Sequence, residues 1–269
     1  MSDARGMVSA ADRVDILGVW ISAVNLAQAV ETVEAWLRAG ERTYICVTPV
    51  AGVMACQRDP DLRRIFNASA MTTPDGMPIV WLLRLLGHRS VERVYGPDLM
   101  RSVCRRSQAA GWRHYFYGGL PGVAERLARR LQAEHPGIKI AGFGTPPLPW
   151  QHGTEDQEGV EAINASEAHI VWVGLSTPKQ EQWMAAHRSR LRASLLIGVG
   201  AAFDFLSGVK PQAPRWMQRS GLEWLFRLVS EPRRLWTRYL RDNPLFVILV
   251  TLQLLGLYRT EGPRPGERA

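Results

Sequence analysis

Three times along this chain a run of β-branched and aromatic residues enters a glycine-bearing turn and continues as a helix, which leaves few folds open. One unit, residues 115–131, reads Tyr-Phe-Tyr-Gly-Gly-Leu-Pro-Gly before a helix beginning near Val123. Another, 170–183, runs Ile-Val-Trp-Val-Gly-Leu-Ser-Thr-Pro into a helix carrying Lys179, Gln180 and Glu181, and the third spans 195–205. Strand and helix in alternation build a parallel sheet with both faces covered. The turns then gather at the carboxyl edge of that sheet, where open α/β folds bind ligands. A pocket shared by the three turns is expected.

The rest of the chain carries the same alternation. Residues 14–21 form a short apolar strand pair around Gly18, and 25–39 have helical spacing in Leu26, Val30, Val33 and Leu37, ending at Gly40. A strand at 44–48 leads to Pro49, a helix follows at 50–56, and Asp59-Pro60-Asp61 opens another through Phe66. A strand at 71–73 ends in Pro74-Asp75-Gly76, before an apolar helix at 78–86 and a further helix at 99–110. The expected fold is α/β: a Rossmann-like, mostly parallel sheet with helices on both faces, spanning residues 1–209. With 46% hydrophobic residues in 269, the chain can bury one large core and a small appendage. Residues 210–261 are expected to form that helical appendage, and the Pro/Gly/Arg-rich end, 262–269, a disordered tail.

The net charge of +8 is concentrated in the last quarter, where eleven Lys and Arg from Lys210 onward face five acids. Trp216, Trp224, Trp236 and Tyr239 share that segment, followed by an apolar run at 245–258 broken only by Thr251, Gln253 and Gly256. Fourteen residues are too few to span a bilayer, which takes about 20. A basic, aromatic segment of this kind suits an anionic membrane surface. The plainer alternative is a last helix packed against the core. Nucleic acid is not expected, because the aromatics are mixed with aliphatic residues rather than spaced along a basic strand face. Three irregularly spaced cysteines imply no disulfide framework and a reducing compartment, and residues 1–15 lack the apolar core of a signal peptide.

Among chemistry-bearing residues, Gly118 and Gly119 could let backbone N–H groups approach a phosphate at a helix start, or could simply make a tight turn. Their spacing matches neither the dinucleotide fingerprint nor the Walker loop, which removes the basis for a nucleotide-dependent oxidoreductase. Asp75, on a stiff Pro-Asp-Gly turn after a strand, is placed to act as a base, or as the cap of the following helix. Asp98 reads as a helix N-cap, and Asp204 lies close to the third glycine turn. Asp59 and Asp61 have the spacing of a metal-binding pair but read better as a helix start. No histidine pair has zinc spacing, and no Gly-x-Ser-x-Gly elbow occurs. No metal or cofactor is expected.

Five collinear segments carry a resemblance. Pro74-Asp75-Gly76, Arg93-Val94-Tyr95-Gly96-Pro97-Asp98-Leu99, the run from Gly174 to Glu181, the run from Gly198 to Asp204, and Gly221-Leu222-Glu223-Trp224-Leu225 through Glu231-Pro232-Arg233-Arg234 are similar to the WecG/TagA/CpsF family, glycosyltransferase family 26. The resemblance implies an inverting, metal-independent hexosyl transfer from a UDP-sugar to a polyprenyl-diphosphate-linked sugar, in cell-surface or exopolysaccharide synthesis at the inner face of the cytoplasmic membrane. It implies Asp75 as catalytic base, Thr48 and Arg93 as pocket residues, and Gln180 as the polar residue of the Pro-Lys-Gln-Glu motif. Arg227, Arg234 and Arg238 are implied to belong to an appendage that closes over the diphosphate and docks on the membrane.

Two departures from the family pattern bear on the donor. Where many members carry an Asn two residues after the matching Thr, this chain has Thr48-Pro49-Val50, and the usual Lys-Arg-Ala-Pro appears as Lys210-Pro211-Gln212-Ala213-Pro214. Losing the amide removes a hydrogen-bond partner, which tilts the expected donor towards glucose or another hexose. UDP-N-acetylmannosamine is the alternative donor. A non-enzymatic membrane-surface adaptor is the alternative of another class, and a homo-oligomer is left open.

Overall fold

The computed structural model describes residues 12–147 and 155–259. The tail at 262–269 lies outside the described residues. An antiparallel hairpin comes first, β1 (Arg13–Ile16) with β2 (Val19–Ser22), turning at Leu17 and Gly18. Helix α1 (Leu26–Ala39) is held at both ends as its sequence dictates. Asn25 and Gln28 make a reciprocal capping box, and Gly40 takes the left-handed conformation that ends the helix.

Six strands then form one parallel sheet in the order β4-β3-β8-β7-β5-β6. In chain order these are β3 (Thr43–Thr48), β4 (Met71–Pro74), β5 (Arg113–Gly118), β6 (Lys139–Gly144), β7 (Ile170–Gly174) and β8 (Leu195–Gly198). Between them run α2 (Val50–Arg58), α3 (Pro60–Ala68), α4 (Met77–Leu85), α5 (Gly96–Ala110), α6 (Val123–Glu134), α7 (Gln157–Ala165) and α8 (Lys179–His187). Helix α9 (Ala202–Ser207) follows β8, and α10 (Arg215–Arg219), α11 (Glu223–Ser230) and α12 (Pro232–Leu254) complete the described chain.

Side-chain alternation along the strands explains the two-sided cover. Tyr44, Cys46, Tyr115, Tyr117, Val171, Val173 and Leu196 enter one core cluster, with Met54, Phe66, Ile79 and Trp183 from the helices. Ile45, Val47, Phe116, Ile170, Trp172, Leu195 and Ile197 enter the other, with Val33, Leu99, Val103 and Leu127. A strand buried on both faces reads as continuously apolar, and β7 and β8 are buried at every position. Strand β6, at the sheet edge, is mostly half-exposed. Its Lys-Ile-Ala-Gly-Phe-Gly gives little strand signal, so the sequence alone does not reveal it, nor α7 beyond it.

The closing helix α12 packs one face of the apolar run against the core, as the plainer reading expects. Phe246 and Val250 are buried in the core beside α2, and Asp242 pairs with Arg58 of α2 at 3.0 Å. Gln253 accepts from the Leu17 amide at 3.0 Å and donates to the Asp15 carbonyl at 3.1 Å, tying the helix to the first hairpin. The opposite face leaves Trp236, Leu240, Val247 and Ile248 exposed. No described helix is long and apolar enough to cross a membrane.

One expected cap is corrected. Helix α5 begins at Gly96 with Tyr95 before it and Pro97 in its first turn, so Asp98 is not the N-cap. Proline at the start of a helix costs no hydrogen bond, which lets the helix begin ahead of Asp98. The Asp98 carboxylate instead pairs with Arg215 of α10 at 2.9 Å.

Gly118 has φ 130, and a Cβ there would lie 2.7 Å from the Gly174 backbone across the β5–β7 pair. Gly118→Ala is therefore expected to destabilise the fold by about 2 kcal/mol or more, measured by denaturant unfolding.

Candidate active site

Where β3 meets β8 the order of the sheet reverses, since the chain leaves β3 for β4 on one side and later reaches β8 on the other. Such switch points open a crevice at the strands' carboxyl ends. A cavity of about 360 Å³ lies there, within the usual range for small-molecule sites. Its walls include Pro49 and Val50 after β3, Asp75 and Gly76 after β4, Ser176 and Thr177 after β7, and Gly200 after β8. Trp224 and Arg227 of α11, with Arg234, Arg238 and Tyr239 of α12, close the other side.

Asp75 does not cap α4, whose N-cap is Gly76 without a side-chain hydrogen bond. Its amide donates to the Thr48 carbonyl at 3.0 Å, which locks the turn against β3. Its carboxylate receives Arg93, with Nε and Nη2 lying 3.2 and 3.1 Å from Oδ1. The side-chain hydrogen bonds to Asp75 thus fall on Oδ1, and Oδ2 is the oxygen available to a ligand. Burial raises the Asp75 pKa to about 7, Arg93 opposes this, and Glu223 adds to it. A carboxyl poised near neutrality suits general-base work.

Arg93 is shared. Its Nη1 lies 2.7 Å from Glu223 Oε2 of α11, and its guanidinium stacks over Tyr95 at 4.1 Å. Burial works to lower its pKa, but the two carboxylates outweigh this and hold it above the ordinary value. A second ion cluster lies at the far wall, where Lys210 bridges Asp204 at 2.9 Å and Glu231 at 3.1 Å, and Arg234 pairs with Glu231 at 2.8 Å.

Arg227 and Arg238 differ from these. Arg227 faces Phe205 at 5.8 Å and its Nε is buried without a hydrogen-bond partner. Burial lowers the Arg238 pKa, nearby Tyr239 opposes that, and Arg227 lowers it further. Two partly desolvated guanidiniums on one wall favour an anionic occupant such as a diphosphate. Gln180, buried at the cavity edge, donates through Nε2 to Glu181 Oε1 at 2.8 Å and leaves its own Oε1 without a partner. Burial also raises the Glu181 pKa to about 7, against the hydrogen bonds from Gln180 and Thr177.

The structure thus brings Asp75, Arg93, Gln180, Asp204, Arg227, Arg234 and Arg238 to one cavity. Gly118, Gly119 and Thr48 are not among its walls. The Gly119 amide donates to the Gly174 carbonyl at 3.0 Å, and Gly118 permits close approach to Gly174. Thr48 is fully buried, with its hydroxyl donating to the Cys46 carbonyl at 3.1 Å, and it acts through the backbone that holds Asp75. The expected pocket of three glycine turns is therefore built from the turns after β7 and β8, together with those after β3 and β4. Sequence reasoning missed Glu223, Glu231, Lys210 and Tyr95. A signal for Glu223 was present, because an acid inside a basic, aromatic segment calls for a partner.

A family model described as "Glycosyl transferase WecG/TagA/CpsF family" matches residues 14–260. The chain belongs to this family. It is 30% identical over 196 residues, 73% of this chain and 74% of the relative, to the N-acetylglucosaminyldiphosphoundecaprenol N-acetyl-beta-D-mannosaminyltransferase of Bacillus spizizenii. It is likewise 30% identical over 187 residues, 69% of this chain and 70% of the relative, to the Bacillus subtilis protein of that name. As a member of this family the chain is a glycosyltransferase, and the relatives' names describe a polyprenyl-diphosphate-linked sugar acceptor.

The raised Asp75 pKa has a sign for stability. Its folded value of about 7 exceeds the ordinary carboxylate value of 3.8, so between them the folded state holds more protons and stability falls as pH rises. Glu181 acts in the same direction. Asp75→Asn should remove part of this slope, leaving the variant more heat-stable than the parent above about pH 7, as checked by melting curves from about pH 5 to about pH 8.

Proposed function

We propose that this family member is an inverting transferase that moves an N-acetylmannosaminyl group from UDP to the sugar of a polyprenyl diphosphate, with Asp75 as general base. The observation that carries this reading is the pairing, in one cavity, of a near-neutral carboxylate with desolvated arginines on the facing wall. Asp75 Oδ2 would take the proton of the acceptor hydroxyl while that oxygen attacks the anomeric carbon. The bond from that carbon to the UDP oxygen breaks, and Arg227, Arg234 and Arg238 offset the charge gathered on the leaving diphosphate.

The missing amide at Val50 had pointed to glucose or another hexose. The names of the two Bacillus relatives favour the N-acetylmannosaminyl alternative instead. Val50, Ala51 and Met77 give the cavity an apolar stretch that suits an acetyl methyl, so valine there does not oppose an N-acetyl donor. Peripheral attachment at the inner face of the cell membrane completes the proposal. Exposed Trp216, Trp236, Leu240, Val247 and Ile248 lie among the arginines of the C-terminal helices, a mixture suited to a headgroup layer.

Incubating the enzyme with a panel of UDP-sugars and a defined polyprenyl-diphosphate N-acetylglucosamine should show transfer from UDP-N-acetylmannosamine. Faster transfer from UDP-glucose would overturn the donor assignment, and absence of UDP binding would favour the adaptor reading. Asp75→Asn should lower turnover by about 10²–10⁴-fold with UDP binding retained. In the parent enzyme, kcat/KM should climb as pH rises through about 7, as the Asp75 carboxyl loses its proton.

A further inference from the structure

The ion pair between Arg93 and Glu223 is unusual in its placement. Arg93 follows β4 in the core, Glu223 opens α11, and the two meet 2.7 Å apart beside the carboxylate proposed as base. Both side chains are nearly enclosed, at 15% and 11% exposure. Arg93 also donates from Nε to the Asp75 carbonyl at 3.2 Å, so one guanidinium fixes the backbone and the carboxylate of Asp75 while a third group competes for its charge.

We infer that Glu223 is a positioning residue for the catalytic base, holding part of the Arg93 charge away from Asp75 so that the base reaches full strength only when α11 is seated. This rests on the proposed role of Asp75. The charged groups facing Asp75 are Arg93 from the segment before α5, and Glu223 and Arg227 from α11. With α11 in place, Glu223 opposes the two cations. With α11 displaced, Arg93 has Asp75 as its one carboxylate partner, and water reaches a carboxylate that burial otherwise holds near neutrality. Both changes weaken the base. A C-terminal segment that seats beside the lipid acceptor would thereby couple the arrival of the acceptor to proton removal. The second ion cluster offers a control, since Glu231 fastens the same helices to Lys210 and is not part of the cavity wall.

The experiment compares pH profiles of kcat/KM for the full chain with lipid-linked acceptor, in the parent, Glu223→Gln, Glu223→Asp and Glu231→Gln. Glu223→Gln should move the acid limb to lower pH by about half a pH unit or more and lower the plateau by up to about threefold for each half unit moved. Glu223→Asp should restore most of the limb's position, and Glu231→Gln should leave the limb unmoved whatever its rate. A limb that stays put in Glu223→Gln, or moves equally in Glu231→Gln, overturns the inference and leaves Glu223 a plain docking contact. Should Glu223→Gln not fold, Glu223→Ala is read in its place, and a limb that stays at the parent's position in that variant overturns the inference. Parent-like turnover in Asp75→Asn would instead remove the base assignment itself, a failure separable from that of Glu223.

Discussion

One guanidinium touches both carboxylates where the two parts of chain that make the cavity meet. Arg93 lies between the carboxylate after β4 and the carboxylate that begins α11, so the sheet edge and the C-terminal helices meet over one shared cation. Removing Arg93 would leave two enclosed carboxylates without their shared cation, which makes these contacts interdependent. The rest of the cavity follows from this arrangement. With Glu223 and Glu231 paired to Arg93 and Lys210, the acids of the C-terminal helices are occupied, and Arg227 and Arg238 are left to face the interior.

The sheet supplies what the C-terminal helices cannot. Its inner strands are buried on both faces and hold their ends firmly, so the turns after β3, β4, β7 and β8 present backbone and side chains from a rigid frame. The Thr48 carbonyl accepting the Asp75 amide is one such fixture. The cost appears in the chemistry of the site. A carboxyl held near neutrality and a glutamine oxygen without a partner are unfavourable in a resting core, and groups of that kind persist where a ligand uses them.

Much of the fold was readable because local and tertiary signals agree. Asn25 with Gln28, Gly40, and Asp59 ahead of Pro60 mark helix ends through hydrogen bonds made within a few residues, and the structure uses each of them. Strand β6 escaped because an edge strand buries little and needs no apolar alternation. The site divides in the same way. Asp75 stood out through its rigid turn, whereas Gly118 and Gly119 carry two readings at once, because a glycine needed for close packing against Gly174 looks, in sequence, like one that admits a phosphate. Glu223 and Lys210 could not be placed at all, since their partners Arg93 and Glu231 lie 130 and 21 residues away and only the folded chain pairs them.

The fastening of α12 has its own consequence. Beyond Asp242 the helix is clamped to α2 and to the first hairpin, while α11 is bounded by Gly221, at φ 74, and by the non-helical Glu231. The cavity wall is therefore made of two pieces with unlike support: α11, eight residues long, carries Glu223 and Arg227, while Arg238 belongs to the helix fastened to the core.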